Sequence, residues 1–309
     1  MRPLLAFAAN WHQVLAIRLA DRVGKGIRSA PRDAMIADSV RLEQRGLAFG
    51  FHRAMDHFGA VIGPIIGYLL VILFAGNFTR IFLIAAIPAL IAVLVAMFVM
   101  RESPPAVVNE SKPPKLSIRG FDSNFKRFLL ILALFTLSNS SDSFLILRAR
   151  DSGVPLSIIP LLWSAHHASK VLSSLYGGDL SDRLGRKRLI VSGWVLYAAV
   201  YAGFAFASHA VSVWALFLIY GLYFGLVEGA EKALVADLVR PEQRGTAYGL
   251  YNLAFGITVF PASLLMGMIW DWKGPTTAFL VSAVMGATAA ILLLIFVQQR
   301  ADNELVPGA

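Results

Sequence analysis

Charged residues recur at helical spacing within the segment 13–38. They lie three or four residues apart, which places their side chains along one face of a helix: Arg18, Asp21, Lys25, Arg28 and Arg32. A charge at the centre of a bilayer costs at least about 2.5–3.5 kcal/mol, so this face must meet water, protein or a solute. It could be a cationic cavity wall for an anionic or zwitterionic solute, or an ion-pair network partly neutralised by Asp21 and Asp33.

Other polar groups stand singly within apolar stretches. Those that could exchange a proton or form an ion pair between helices are Asp33, Asp56, Asp142, Glu228, Glu231 and Lys232. A carboxylate in an apolar cavity can carry a proton, which makes Asp56, Asp142, Glu228 and Glu231 candidate proton sites. Asn139, Asp142 and Glu228 could also line the solute cavity. The commoner use of such groups is bonding between helices, and that alternative applies to each of them.

Histidines cluster in two further segments. His52 and His57 are close in sequence, and His166 and His167 precede Lys170. Adjacent residues of a helix point about 100° apart, so neighbouring histidines rarely share an ion, and we expect no metal. The chain has no cysteine, which excludes disulfides and thiolate metal sites. No nucleophile paired with a base is evident, so neither a cofactor nor enzymatic activity is expected.

The elements that must position these groups are membrane-spanning helices. Of the 309 residues, 57% are hydrophobic and only 15% charged, whereas soluble domains are about 25% charged. About 20 mostly apolar residues cross a bilayer, and nine such spans are predicted at 13–38, 46–74, 80–100, 127–148, 157–180, 189–208, 212–238, 246–270 and 276–297. The expected fold is an all-α polytopic bundle in a cell membrane, and we expect the bacterial inner membrane.

Lysine and arginine are concentrated in alternate loops. The loops 39–45, 101–127, 181–188 and 239–245 hold 2, 6, 4 and 2 of them, whereas the intervening loops hold four in all. Cytoplasmic loops of membrane proteins carry this excess, so the first set is predicted to be cytoplasmic. The net charge of +9 therefore fits a lipid bilayer, and no nucleic-acid partner is expected.

A polar motif occurs twice in the chain. The pattern Asp-x2-Arg-x-Glu-Gln-Arg-Gly-x3-Gly begins at Asp38 and again at Asp237, an offset of 237 − 38 = 199. Both copies lie in a predicted cytoplasmic loop between two spans. Two parallel repeats in one membrane chain are a transporter architecture. The repeat therefore predicts two related halves.

The same offset relates charged residues of opposite sign. Glu231 is the counterpart of Arg32, and Lys232 is the counterpart of Asp33. The exchanged signs predict ion pairs between the halves, Arg32 with Glu231 and Asp33 with Lys232. Such pairs could form in one conformation of the protein and break in another.

The repeat also predicts how the chain is divided. The second half has six spans and begins near residue 127, so the first would begin near 127 − 199 = −72. We therefore expect an upstream extension that holds two spans and most of a third. The expected division is a partial first half at 1–100 that starts within helix 3, a cytoplasmic linker at 101–126, a second half at 127–300 and a tail at 301–309.

The loop after the predicted span 157–180 carries the most specific motif. It resembles the signature Gly-x3-Asp-Arg-x-Gly-Arg-Arg/Lys of the major facilitator superfamily, matched at Gly178, Asp182, Arg183, Gly185, Arg186 and Lys187. Arg18, twenty residues before Asp38, extends the likeness. A pattern in the next span is similar to the antiporter motif of that family, at Gly59, Gly63, Pro64 and Gly67, although Tyr68 replaces its final glycine. That pattern could equally serve helix packing alone.

The resemblance implies a twelve-helix bundle of two halves, of which about nine helices are complete in this chain. It implies a monomeric secondary transporter that moves a small solute by alternating access, in which the loop 177–188 acts as a gate and the span 13–38 lines the cavity. Proton-coupled antiport or efflux is the expected mode, with protons as the coupling ion. The alternatives are a membrane sensor or scaffold that does not transport, and a non-functional fragment of a transporter.

Overall fold

The computed structural model describes residues 2–98 and 117–298. This part of the chain is helical and contains no strand. Its helices are α1 (Trp11–Ser39), α2 (Arg45–Leu73), α3 (Phe78–Ile84), α4 (Ala86–Phe98), α5 (Ser123–Ser138), α6 (Ser143–Asp151), α7 (Ile159–Leu184), α8 (Arg186–Phe206), α9 (Ala210–Leu238) and α10 (Arg244–Phe296). Most of the predicted linker and the predicted tail lie outside the described residues. Below, α1–α4 are called the first half and α5–α10 the second half.

Four of the predicted spans are built differently from single straight helices. The span 80–100 is divided into α3 and α4, and the span 127–148 is interrupted between α5 and α6. The last two predicted spans form one continuous element, α10, which kinks at Gly274, where φ is +82°. Six helical segments among the described residues are long and apolar enough to cross a membrane. The nine-span count therefore stays a prediction.

The core lies in the second half and is rich in aromatic side chains. Phe135 of α5 stacks on Trp194 of α8 with ring centroids 4.1 Å apart, and Tyr197 lies beside both of them, fully buried. The Tyr197 hydroxyl donates a hydrogen bond of 2.6 Å to the carbonyl of Ser138, the last residue of α5. Because a backbone carbonyl released by a helix break must find another donor inside a membrane, this tyrosine stabilises the interruption of the span.

The closest helix crossings use glycines of the repeated motif and of the loop 177–188, to which the sequence had assigned no packing role. A Cβ atom added to Gly177 of α7 would lie 2.0 Å from the carbonyl oxygen of Gly225 in α9, and one on Gly50 of α2 would lie 2.6 Å from the carbonyl oxygen of Ser174. Small residues allow such backbone approach. The packing function predicted for the motif at 59–67 is not seen in the described structure, because Gly59, Gly63 and Gly67 have no described atom within 4 Å of an added Cβ.

Gly177→Ala is expected to destabilise the protein, whereas Gly63→Ala is not. The methyl group added at position 177 would overlap the α9 backbone, and overpacking costs roughly 1–3 kcal/mol. Gly63 is in open space within a helix, where alanine is favoured by roughly 0.5–1 kcal/mol. The melting temperatures of the purified variants in detergent measure the difference. Equal melting temperatures for the two variants would contradict this packing.

Candidate functional site

The two halves meet at the end of the bundle that carries the repeated motif and the loop 177–188, here called the basic end. Asp182, near the end of α7, accepts hydrogen bonds from the backbone N–H groups of Gly46 (2.9 Å) and Leu47 (2.8 Å). These N–H groups belong to the first turn of α2, where they have no partner within the helix and the helix dipole favours a negative charge. Asp182 therefore holds the start of α2 against the second half.

Arg186 fixes the same junction from the first turn of α8. Its guanidinium lies 3.1 Å from Asp182, pairs with Asp237 and donates a hydrogen bond to the carbonyl of Leu42. Gly185, at φ +92°, makes the turn between α7 and α8, and this backbone conformation favours glycine. Of the remaining predicted gate residues, Arg183 pairs with Asp179 of its own helix at 2.9 Å, and Lys187 is half-buried.

The repeated motif forms a reciprocal pair of ion pairs. Arg45 of the first half binds Asp237 of the second at 2.8 Å, and Arg244 of the second binds Asp38 of the first. Asp38 and Asp237 are counterparts in the repeat, and so are Arg45 and Arg244. A two-fold interface has this property, in which residue i contacts j and j contacts i. The two halves therefore meet across a pseudo-two-fold axis at the basic end.

Asp33 and Lys232 lie where this axis passes between the halves. They are repeat counterparts, and their side chains form the ion pair that the exchanged signs predict. Both are almost completely buried, with side-chain exposures of 1% and 3%. Arg32 also binds Asp33, at 3.0 Å. A position on a two-fold axis meets its own counterpart, which explains why this pair is formed from equivalent positions.

Arg32 and Glu231 are not paired in this structure. Arg32 is bound to its neighbour Asp33, while Glu231 is buried within the second half. The Glu231 carboxylate accepts hydrogen bonds from Trp194 Nε1 at 3.0 Å and from the Tyr251 hydroxyl at 2.7 Å. These two donors, both from the second half, satisfy the carboxylate without Arg32.

A second polar cluster lies between α2 and α9, nearer the middle of the bundle. His57 Nε2 is 2.9 Å from Glu228 Oε2, and Arg53 Nε is 3.9 Å from the same oxygen. Asp56 is more exposed and lies 3.5 Å from Arg53 and 3.9 Å from His52 Nδ1. Glu228, one of the predicted proton sites, therefore contacts the first half through Arg53 and His57.

The predicted cavity residues divide into separate regions. Asp21, Lys25 and Arg28 line a groove of about 1130 Å³ between α1 and the helices α2–α4, and Arg18 is exposed on the same helix. Asn139 and Asp142 lie instead in the interruption between α5 and α6, where the Tyr220 hydroxyl is 3.3 Å from Asn139 Oδ1. That the α1 residues line a solute cavity stays a prediction.

Several residues of the junction were not assigned a role from sequence. Asp38, Arg45, Asp237 and Arg244 belong to the repeated motif, and their identity in both copies was a signal that each would meet the other half. His57 gave no such signal, because its counterpart at position 256 is glycine.

Comparison with known proteins agrees with this architecture. The family model described as "Major Facilitator Superfamily" matches residues 3–230 and 128–308. An MFS-type transporter of Methanocaldococcus jannaschii is 35% identical over 297 residues, which are 94% of this chain and 74% of that protein. The multidrug resistance protein MdtH of Salmonella arizonae is 30% identical over 122 residues, 40% of this chain and 29% of that one.

A solved structure shares the fold. The human organic anion transporter MFSD10 superimposes with a TM-score of 0.75 at 15% identity, covering 94% of this chain and 73% of that one. The chain belongs to the major facilitator superfamily. It is an all-α, multi-pass membrane protein of a family that transports small solutes, which confirms the resemblance seen in its sequence.

Proposed function

We propose that this protein is a secondary transporter that moves a small solute by alternating access, with the basic end as its cytoplasmic gate. The observation that carries the proposal is the reciprocal set of ion pairs between repeat counterparts, which closes one end of the bundle. Farther along α2, no described residue after Ala54 is buried. Lysine and arginine concentrated at this end support its cytoplasmic orientation.

In this proposal the structure is the state closed to the cytoplasm. Opening the gate would separate α2 from α7 and expose Ser174, which is 1% exposed and packs against Gly50. Because the chain has no cysteine, Ser174→Cys gives a single, nearly isosteric thiol as a reporter. The reaction of this thiol with a methanethiosulfonate reagent then measures how often the gate opens.

Ser174→Cys is expected to react at a measurable rate, but at least about 100-fold more slowly than Ser39→Cys, because a closed junction of this kind favours burial by a few kcal/mol. Ser39 is exposed at the end of α1 and serves as the control thiol. Labelling of both variants in lipid nanodiscs, followed by mass spectrometry, provides the rates. A Ser174→Cys thiol that never reacts in folded protein would favour the non-transporting scaffold.

We also propose that Glu228 is the proton-coupling group. Its negative charge holds Arg53 and His57 of the first half against α9, so protonation would weaken this contact and favour opening. Divided by the Ser39→Cys rate at the same pH, so that thiol ionisation cancels, the Ser174→Cys labelling rate is therefore expected to rise several-fold once the pH is low enough to protonate Glu228. The uncharged Glu228→Gln variant should react at the higher rate throughout and lose this dependence.

Glu43→Gln is the matched control, because Glu43 is exposed in the loop before α2. It should keep the pH dependence of the unaltered chain. A pH profile in Glu228→Gln that matches the one in Glu43→Gln would remove Glu228 as the coupling group, and the same assay then applies to Glu231 and Asp142.

Efflux by antiport is the transport mode we propose, and the partial similarity to a protein named for multidrug resistance supports it. We further propose a monomer in the bacterial inner membrane without cofactor or enzymatic activity. The runner-up is a membrane sensor or scaffold on the same fold, for which the closed junction at the basic end would be permanent.

A further inference from the structure

Lys170 is a buried ammonium group in the middle of α7. Only 4% of the residue is exposed, and its Nζ lies 3.4 Å from the centre of the Phe224 ring. No ion pair within 4 Å joins it to a carboxylate in the part of the chain that the structure describes. An uncompensated charge at membrane depth is costly and commonly marks the path of a solute or ion.

Asp142 is a carboxylate of the opposite sign in a similar position. It lies in the interruption between α5 and α6, and within residues 2–98 and 117–298 it has no cation within 4 Å. Its contact is with the Tyr220 hydroxyl, at 3.5 Å, which is long for a hydrogen bond. Interrupted helices of membrane transporters commonly carry the solute site, because their polar groups are not all used within the helix.

The two charges border the same group of aromatic side chains, here called the aromatic wall. Tyr220 reaches Asp142 with its hydroxyl, and its ring stacks on His166 with centroids 5.2 Å apart. His166 is one helical turn before Lys170, and Phe224 is one turn after Tyr220. Lys170 and Asp142 therefore lie at the same aromatic wall and interact electrostatically without touching.

Further polar atoms at this wall have no partner. His166 Nε2 is buried without a hydrogen bond among the described residues, and so is His167 Nδ1. The His166 side chain is completely buried and fixed by its other nitrogen, which lies 2.8 Å from the carbonyl of Phe217. Buried polar atoms of this kind are rare unless a ligand or water meets them.

The charge balance at the aromatic wall distinguishes between solute classes. Glu228 is already bound by Arg53 and His57, which leaves Lys170 and Asp142 as one unpaired positive and one unpaired negative group. A purely anionic solute would leave Asp142 uncompensated, and a purely cationic one would leave Lys170 uncompensated. A zwitterion satisfies both groups and adds no net charge.

We propose that Lys170 and Asp142 bind the carboxylate and the ammonium group of a zwitterionic solute, whose apolar part lies against Phe224 and Tyr220. This inference rests on the proposed transport function and names the solute class. The polar atoms of His166 and His167 lie at the same wall and supply further hydrogen bonds to the solute. The flat rings favour a planar apolar group.

Binding of three matched probes to the unaltered chain tests the proposal. L-Phenylalanine carries both charged groups, 3-phenylpropanoate lacks the ammonium group, and phenethylamine lacks the carboxylate. Titration calorimetry in lipid nanodiscs, corrected with empty nanodiscs, should show phenylalanine binding about tenfold or more tightly than either of the others, since a hydrogen bond to a charged group contributes about 1.5–3 kcal/mol.

Two variants should divide this preference. Lys170→Met is expected to weaken the binding of phenylalanine and 3-phenylpropanoate about tenfold and to leave the binding of phenethylamine unchanged. Asp142→Asn should weaken the binding of phenylalanine and phenethylamine by the same factor and leave that of 3-phenylpropanoate unchanged. Lys170→Arg keeps the charge and should keep part of the affinity. Lys273→Met and Asp271→Asn, on exposed residues of α10, are the matched controls and should change none of the three affinities.

Equal affinity for the three probes, binding of only the anion or only the amine, or no binding at all would overturn the proposal. These measurements on the unaltered chain decide the matter even if Lys170→Met fails to fold. They are independent of Ser174→Cys labelling. If labelling shows that the gate opens and calorimetry shows no preference for the zwitterion, this site is refuted and the transport function stays in place. A gate that never opens refutes the transport function instead.

Discussion

Asp237→Asn is expected to open the basic end of the bundle and to raise the labelling rate of Ser174→Cys at least about 100-fold. Asp237 binds both Arg45 and Arg186 in the closed junction, where the Arg45 and Asp237 side chains are only 8% and 10% exposed. Removing one partner of a buried ion pair costs about 3–5 kcal/mol, because the remaining charge stays buried without compensation. Arg45 loses its carboxylate partner when Asp237 is replaced, whereas Arg186 keeps Asp182 at 3.1 Å.

Asp38→Asn provides the matched control for this prediction. Asp38 is the counterpart of Asp237 in the repeat and binds Arg244, the counterpart of Arg45, but its side chain is 40% exposed. A solvated ion pair contributes about 0–1 kcal/mol, so this variant should change the labelling rate less than tenfold. Equal effects of the two substitutions would show that burial does not decide the strength of the gate.

Asp33→Lys combined with Lys232→Asp is expected to restore much of the closed-state stability that either substitution alone removes. Asp33→Lys would place three cations together, since Arg32 lies beside it, and Lys232→Asp would bring two carboxylates into contact in a buried site. Each single variant should lose roughly 3–5 kcal/mol of closed-state stability. The double variant restores one positive and one negative group at the axis.

The recovery should be incomplete, because Arg32 would then face a lysine. Melting temperature in detergent and Ser174→Cys labelling, analysed as a double-mutant cycle, give the coupling energy between the two positions. Glu231→Gln is a useful neighbour control, since Glu231 is bound by Trp194 and Tyr251 and lies outside the pair. A double variant no better than the worse single one would contradict direct pairing at the axis.

Much of this junction could be predicted from the sequence because it is a repeat. Two copies of one motif at a fixed offset imply two-fold related halves, and exchanged signs at equivalent positions imply contact on the axis. The pair of Asp33 and Lys232 followed from that reasoning. The neighbouring pair, Arg32 with Glu231, is absent from this structure, because adjacent residues of a helix point about 100° apart and only one of the two positions can face the axis.

The sequence by itself determined the helices, the family and the meeting of the two halves at the repeated motif. Long apolar runs can satisfy their backbone hydrogen bonds in a membrane only as helices, which makes these elements readable from composition. Only the tertiary structure decided what each polar face meets. In the structure, Asp21, Lys25 and Arg28 line a groove within the first half. Glu231 is buried beside its hydrogen-bond donors Trp194 and Tyr251. Lys170 and Asp142 lie near each other without contact. Helical periodicity fixes which side chains share a face, whereas the rotation of that helix about its own axis is set by packing against its neighbours.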